Sequence, residues 1–405
     1  MTTESAFVLT MLVLGYAVVS GLVTRWYIAP GLIFVVSGVL LGPSGLGILE
    51  IGADTATFTV IAQLALTVIL FNQASELDLR TVLRRGNDSF RLILIGIPLT
   101  IGLGTAAALL LLPGVPVWEA VCLAAIVAPL EVSLIEALLE DRRIPERVRH
   151  ALAVESGCYD GFALAALFGA LALASQRAQS DPSGWGWFLI RTELLSLGAG
   201  AAVGIAGALL IAKSFQRGWI DEIWAQLATV AVALACFQVG EMFHGSGFVA
   251  AFAGGLAYAL VALRTGAEVP RQVSDAAGRL LELLVFAMFG AAAVVLGWRD
   301  AGWQVVLFAV VAVFGVRLVS VWVALIRTNM PARSRLFIGW FGPRGIGTLV
   351  LGLLVVHEGA IQEIDLITQT VVVTVTLSLV VHSLTTPLGI RLVQRDRLAP
   401  DSSRP

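Results

Sequence analysis

The sequence predicts an all-α polytopic membrane protein, and three observations carry that prediction. Of its 405 residues 58% are hydrophobic and 13% charged, about half the charged share of a soluble domain. About thirteen apolar runs long enough to approach or cross a bilayer succeed one another through short connections. Of the 26 Lys and Arg residues, 21 fall on alternate connections and therefore on one side of a membrane.

The runs lie near 5–24, 28–43, 56–75, 89–112, 117–139, 148–174, 186–212, 222–240, 247–263, 277–297, 303–326, 335–356 and 366–390. The first has Glu4 and no basic residue before Arg25, so it lacks the head of a cleaved signal and reads as a retained span. The second is short. The third carries Asn72 and Gln73 near its inner end. The fifth is interrupted by Ala128-Pro129-Leu130-Glu131, and the sixth contains Val154-Glu155-Ser156-Gly157-Cys158-Tyr159-Asp160-Gly161. The twelfth is interrupted by Phe341-Gly342-Pro343-Arg344-Gly345, and a short tail, 391–405, comes after the thirteenth.

Basic residues orient the chain. Arg25, the set Arg80, Arg84, Arg85 and Arg91, the set Arg142, Arg143, Arg147 and Arg149, and their counterparts through Arg404 share one side. Arg177, Arg191 and Arg299 lie on the other, and only Arg317 and Arg344 fall within spans. The rich side is expected to be cytoplasmic, which puts the N-terminus outside and the C-terminal tail inside. Thirteen spans divide into a repeat over 5–174, a linker helix over 186–212 and a second repeat over 222–390. An odd linker inverts the second half relative to the first, and Pro129 and Pro343 break corresponding spans. That single transmembrane unit accounts for the whole chain.

Several functions are disfavoured. A net charge of −2 gives no basic surface for nucleic acid. Cys122, Cys158 and Cys236 sit in apolar runs without metal or disulfide spacing and read as packing residues. Gly245-Ser246-Gly247 is not a nucleophile elbow, and His357-Glu358 lacks the second His of a zinc protease. No cofactor is implied, and an enzyme is not expected. Glu282 and Arg317 read as lying toward span ends, where snorkelling or pairing is usual, and His150, His244, His357 and His382 as near span ends too.

The chemistry gathers on the broken spans and the sixth. Asp160 is roughly 18 Å into its span at 1.5 Å per residue, near the centre of a hydrocarbon core about 30 Å thick. A charge there is tolerated where protein or water receives it, which usually means a site that handles ions or protons. Ser156 is one turn before Asp160 on the same face, while Glu155 and Tyr159 share another. Carboxylate and hydroxyl are hard oxygen ligands suited to an alkali cation or a proton, and Glu131 beside the first break offers a second carboxylate. Arg344 requires a counter-charge at its depth, and Glu155 is the expected partner in a structural ion pair.

These segments resemble the Na+/H+ exchangers of the monovalent cation/proton antiporter superfamily, in their bacterial NhaP-like branch. The resemblance rests on Ala128-Pro129-Leu130-Glu131, on Ile144-Pro145-Glu146-Arg147-Val148-Arg149 and on Glu155 through Gly161. It also rests on Arg335-Leu336-Phe337-Ile338-Gly339-Trp340-Phe341-Gly342-Pro343-Arg344-Gly345 and on Leu70-Phe71 with Leu77-Asp78-Leu79-Arg80. The family pattern reads Ala-Pro-Thr-Asp-Pro and Glu-Ser-Gly-x-Asn-Asp-Gly. Here Leu130-Glu131 replaces Thr-Asp, Tyr159-Asp160 replaces Asn-Asp, and Asn72 stands where an acidic residue often comes after Leu-Phe.

The resemblance implies an inverted-repeat antiporter fold in the cytoplasmic (inner) membrane. It further implies a homodimer, with a bundle of spans 4–6 and 11–13 moving against a dimerising scaffold. It makes Asp160, Glu131 and Ser156 the cation and proton ligands, with Tyr159, Leu130 and Asn72 lining the site. The substrates expected are a monovalent cation, Na+ first, and H+. Burial and a neighbouring carboxylate disfavour a bare charge on Asp160, so it holds a proton or a cation, and exchange is expected to be electroneutral. A K+/H+ exchanger, or a non-exchanging channel or ion sensor on the same scaffold, is the alternative.

Overall fold

The computed structural model describes residues 3–49, 55–77, 87–131, 138–174, 182–265, 271–358 and 361–398. Arg80, Arg84, Arg85, Glu136, Arg177 and Arg404 lie outside them, as does Asp78-Leu79-Arg80. The described residues of the apolar runs are mainly helical, with two of the runs interrupted. The first half holds α1 (Thr3–Arg25), α2 (Pro30–Leu41), α3 (Thr55–Glu76), a composite α4 (Asn87–Arg91, Leu92–Gly96 and Ile97–Leu111), α5 (Val117–Val127) and α6 (Glu146–Ala174). α7 (Pro182–Gln216) follows. Then come α8 (Glu222–Met242), α9 (Gly247–Thr265), composite α10 (Gln272–Phe289, Gly290–Val294 and Val295–Asp300) and composite α11 (Trp303–Val310, Val311–Val316 and Arg317–Ala324). α12 (Ala332–Trp340), α13 (Ile346–Glu358) and α14 (Ile364–Leu398) close the chain.

Ten described helices are long and apolar enough to cross a membrane, and Pro30–Leu41, Val117–Val127 and Ile346–Val356 are shorter apolar helices. Each predicted run therefore holds a helix. Helicity is a consequence of the solvent: in hydrocarbon every backbone N–H and C=O must be paired within the chain, and a helix does that locally.

The helices fall into two packing groups. α7 lies along α8 and α9, α9 along α3, α3 along α10, and α10 along α2. In the other group α4 packs on α5 and α11, α5 on α6, and α14 on α11, α12 and α13. The first group is joined by small residues. A Cβ on Gly200 would stand 2.1 Å from the Ala250 carbonyl oxygen, and one on Gly204 2.1 Å from that of Gly254. Backbones that touch this closely gain dispersion contact and exclude lipid, the main drive for association where no water is expelled.

Three π-helical turns interrupt the composite helices, at Leu92–Gly96, Gly290–Val294 and Val311–Val316. Each inserts a residue and rotates the downstream part of its helix by about 100°. The third ends immediately before Arg317, which it leaves fully buried rather than snorkelling toward a span end. Glu282 is likewise buried, at 4% exposure. The last helix is longer than its apolar run, so His382 lies well inside it and is buried, not near its end.

Polar contacts fasten both ends of the bundle. On the basic side Arg143 bonds Asp141 (Nη2–Oδ2 2.7 Å) and Tyr27, and the Tyr27 hydroxyl reaches Asp141 at 3.0 Å. Those hydrogen bonds from Arg143 hold the Asp141 carboxyl below its ordinary range. On the other side buried Glu119 accepts from the Gln362 and Glu363 amides at 3.0 and 3.2 Å, where α14 begins.

Candidate functional site

Two helix breaks cross at the centre of the second packing group. α5 stops at Val127 because Pro129 has no amide hydrogen to donate to the preceding turn and its ring crowds that turn's carbonyl. Residues Pro129 to Glu131 carry no regular structure. The second break runs from Phe341 to Gly345 between α12 and α13, and the two are stitched by the Glu131 amide donating to the Pro343 carbonyl at 2.9 Å. Both breaks lie at the prolines where the sequence places them.

Each break leaves helix-end carbonyls and amides without intrahelical partners, and charged side chains meet them with the complementary sign. Arg344 Nη1 donates to the carbonyl oxygens of Ala128 and Pro129 at 2.5 and 3.0 Å, at the C-terminal end of α5. Arg317 Nη2 donates to the Ile338 carbonyl at 3.0 Å, in the last turn of α12. At the N-terminal end of α13, Glu131 Oε2 accepts from the Ile346 amide at 3.0 Å. Close approach explains two glycines of the motif: a Cβ on Gly342 would overlap Arg317 Nε at 2.0 Å, and one on Gly345 would stand 2.6 Å from Glu131 Cγ.

Asp160 faces the same helix end. It is 6% exposed, and a Cβ on Gly347 would stand 3.7 Å from its Oδ1 and 3.6 Å from Pro129 Cβ. The first turn of α13 thus lies beside two carboxylates, Glu131 bonded to its Ile346 amide and Asp160 packed against Gly347. Among the described residues no arginine, lysine or histidine forms an ion pair with Asp160. Ser156 lies one turn away, fully buried, with its hydroxyl donating to the Leu152 carbonyl at 2.8 Å and its lone pairs left to accept or ligate.

The expected pairing of Glu155 with Arg344 is corrected. Glu155 gives both carboxylate oxygens to Arg317, at 2.9 and 3.1 Å, with both side chains at most 1% exposed. Arg344 is occupied instead with the carbonyls of the other break. The physical reason is the fork geometry of a guanidinium, which fits a carboxylate with two parallel hydrogen bonds once the π turn aims Arg317 at α6.

The three lining candidates have the following surroundings. Tyr159 and Leu130 are buried with Ile93, Ile97, Ala128 and Val154 in an apolar cluster. Asn72 Nδ2 donates to Asp275 Oδ1 at 3.0 Å, and its Oδ1 accepts from Ser274 Oγ at 2.7 Å, which fastens α3 to α10. Sequence reasoning does not select Arg317, Ser378 or His382 for the site. An arginine inside an apolar run is the one available signal, and Arg317 gives it.

A family model described as "Sodium/hydrogen exchanger, transmembrane" matches residues 8–390. The chain belongs to the sodium/hydrogen exchanger family. This exchanger-family chain is 27% identical over 361 residues to a K+/H+ antiporter, NhaP, of Alkalimonas amylolytica, which covers 85% of it and 60% of that relative. It is 25% identical over 307 residues to a probable Na+/H+ antiporter of Schizosaccharomyces pombe, 71% of it and 40% of the relative. It therefore spans 60% or less of the length of these two relatives. The solved structure of the sodium proton antiporter MjNhaP1 from Methanocaldococcus jannaschii superposes with a TM-score of 0.75 at 19% identity, over 96% of this chain and 98% of that one. That likeness establishes a shared fold.

Proposed function

We propose that this chain is a secondary antiporter that exchanges a monovalent cation, Na+ first, for H+ at Asp160. One observation carries the reading. Asp160 is a carboxylate buried mid-helix with no ion-pair partner among the described residues, set against the amide end of α13 and beside Glu131. Burial and the neighbouring carboxylate disfavour a bare charge, while the helix end favours a negative one. Asp160 then holds a proton or a cation and is not left empty. If the protein reorients only when it is occupied, competition for this carboxylate couples the two flows. Ser156 supplies a neutral oxygen one turn away and Glu131 the second charge. The relatives' names, one K+/H+ and one probable Na+/H+, support exchange without choosing the cation.

The same reading places the chain in the cytoplasmic membrane as a homodimer, with its N-terminus outside and its C-terminus inside. Two inverted repeats, 5–174 and 222–390, flank the linker helix, and the group carrying the breaks moves against the group joined by glycine seams. The test is the purified chain in vesicles with an internal pH dye, given Na+, K+ and Li+ in turn. Exchange predicts that one cation moves protons at once in the opposite direction. Cation flux without proton movement would refute it.

A further inference from the structure

His382 of α14 touches the second break and has no role in the chemistry above. Its Nε2 lies 2.8 Å from the Trp340 carbonyl oxygen, the last of α12, and its Nδ1 lies 3.1 Å from Ser378 Oγ and 2.8 Å from the Ser378 carbonyl oxygen. Ser378 Oγ in turn accepts from the Arg344 amide at 2.8 Å. That amide bond occupies a serine lone pair and leaves its hydrogen free to donate to Nδ1. A neutral ring protonated on Nε2 donates to the Trp340 carbonyl and accepts the serine hydrogen at Nδ1, whereas one protonated on Nδ1 donates to the Ser378 carbonyl instead. Each neutral form therefore sets one ring lone pair against a carbonyl 2.8 Å away, and only the Nε2-protonated form ties α12 to α14 while the Ser378 hydroxyl hydrogen offsets the close contact at Nδ1.

In the Nε2-protonated form the hydrogen bonds run in order: Arg344 N–H to Ser378 Oγ, Ser378 Oγ–H to His382 Nδ1, His382 Nε2–H to Trp340 O. Trp340 is held to α14 a second time, through its indole N–H on Thr385 Oγ1 at 3.0 Å, and its ring stacks on Phe314 at 4.9 Å. The Arg344 side chain carries the connection onward to Ala128 and Pro129. From the imidazole, then, three links reach the opposite break. His382 also lines a pocket with Tyr27, Pro343, Ser383 and Thr386. Tyr27 belongs to the Asp141–Arg143 cluster of the basic side, so this pocket lies between that side and the break.

We propose that His382 is a positioning residue for exchange: it clamps the end of α12 and the Pro343–Arg344 crossing to α14, and so holds the amide end of α13 where Asp160 and Glu131 use it. The function of the clamp rests on the reading of exchange at Asp160; the clamp itself does not.

The test uses full-length His382→Phe, His382→Gln and Ser378→Ala beside the unaltered chain. Phenylalanine keeps the ring packing and removes both polar contacts, whereas glutamine offers one donor and one acceptor of similar reach. His382→Phe should lower the initial rate of cation-driven proton movement about tenfold, and His382→Gln should restore it to within about threefold. Phenylalanine at the unaltered rate, or glutamine no better than phenylalanine, would overturn the proposal. Amide hydrogen exchange at residues 341–346 provides a readout that needs no transport. His382→Phe and Ser378→Ala should both speed it, while His382→Gln leaves it near the unaltered rate. Unchanged protection in Ser378→Ala, which keeps the imidazole and its packing, would overturn the clamp even where His382→Phe does not fold. A chain that shows the protection pattern yet exchanges no ion would retain the clamp and lose the functional reading.

Discussion

Two acidic residues five positions apart on α6 have opposite surroundings. Glu155 is gripped at both oxygens by Arg317, with neither side chain more than 1% exposed. Asp160 forms no ion pair among the described residues and instead faces a helix N-terminus and a second carboxylate. The same residue chemistry therefore serves two purposes within one and a half turns. A carboxylate whose lone pairs and charge are met by a fixed guanidinium has no reason to take up a cation, and separating the pair is expensive. A carboxylate beside a helix N-terminus with no ion-pair partner is not neutralised, so on the proposed reading a proton or an alkali ion completes it and leaves again.

The largest expected effect breaks the exchanging member. Asp160→Asn should abolish exchange and leave melting temperature and yield close to those of the unaltered chain, because a neutral amide fits the same space without a charge to satisfy. Near-normal proton-coupled flux in that variant would remove Asp160 from the centre of the mechanism.

Breaking the structural member should do the reverse. Arg317→Met leaves Glu155 buried and unpaired and should cost about 3–5 kcal/mol of stability, as should Glu155→Gln to a lesser degree. Combining Glu155→Gln with Arg317→Gln should recover part of that loss. The sharper form is a double-mutant cycle: coupling between Glu155 and Arg317 should exceed coupling between Glu155 and Arg344, since Arg344 donates to the carbonyls of Ala128 and Pro129. Melting curves of the single and double variants decide it, and equal couplings would put Arg344 back beside Glu155.

The contrast between these two arginines shows how far the sequence can be read. Apolar run length alone locates the helices, because hydrocarbon leaves the backbone few alternatives, and proline inside a run locates both breaks. Asp160, Glu131 and Ser156 are legible from an intramembrane charge, a break and a four-residue spacing. Partner choice is not. Depth counted from the ends of the apolar runs puts Arg317 toward a span end and leaves Arg344 to Glu155, while the rotation that decides which way Arg317 faces comes from a π turn that nothing in Val311–Val316 announces. His382 is hidden for a related reason. Its importance comes from α12 ending at Trp340 directly against it, a juxtaposition of segments about forty residues apart that periodicity within one helix cannot report.

A smaller effect is expected from Glu131→Gln, which probes what the second carboxylate adds to Asp160. The amide oxygen can still accept from Ile346, so the fold should survive. The lost negative charge should raise the cation KM about threefold to tenfold and change maximum rate less. Initial rates across a cation series measure this, and an unchanged KM would reduce Glu131 to a cap for α13.

The smallest expected effect is none. With Glu155 neutralised by Arg317 and Tyr159 in an apolar cluster, the proposed reading leaves Asp160 as the carboxylate whose occupant changes, with one charge crossing each way per cycle. Exchange should then be electroneutral and blind to membrane potential. A cycle moving one net charge would gain or lose about 2.3 kcal/mol per 100 mV, roughly a fiftyfold change in the equilibrium gradient. Glu131 is the residue that would alter the count. It is bonded to the Ile346 amide, and if it released a proton whenever the cation bound, two protons would exchange for one cation. The measurement is the Na+ gradient that just opposes a fixed pH gradient, first at zero potential and then with the potential clamped by valinomycin, once K+ has been excluded as a substrate. A balance point that stays put establishes one-for-one exchange. A point that moves with potential rules it out, and its return to a fixed value in Glu131→Gln would trace the second proton to that carboxylate.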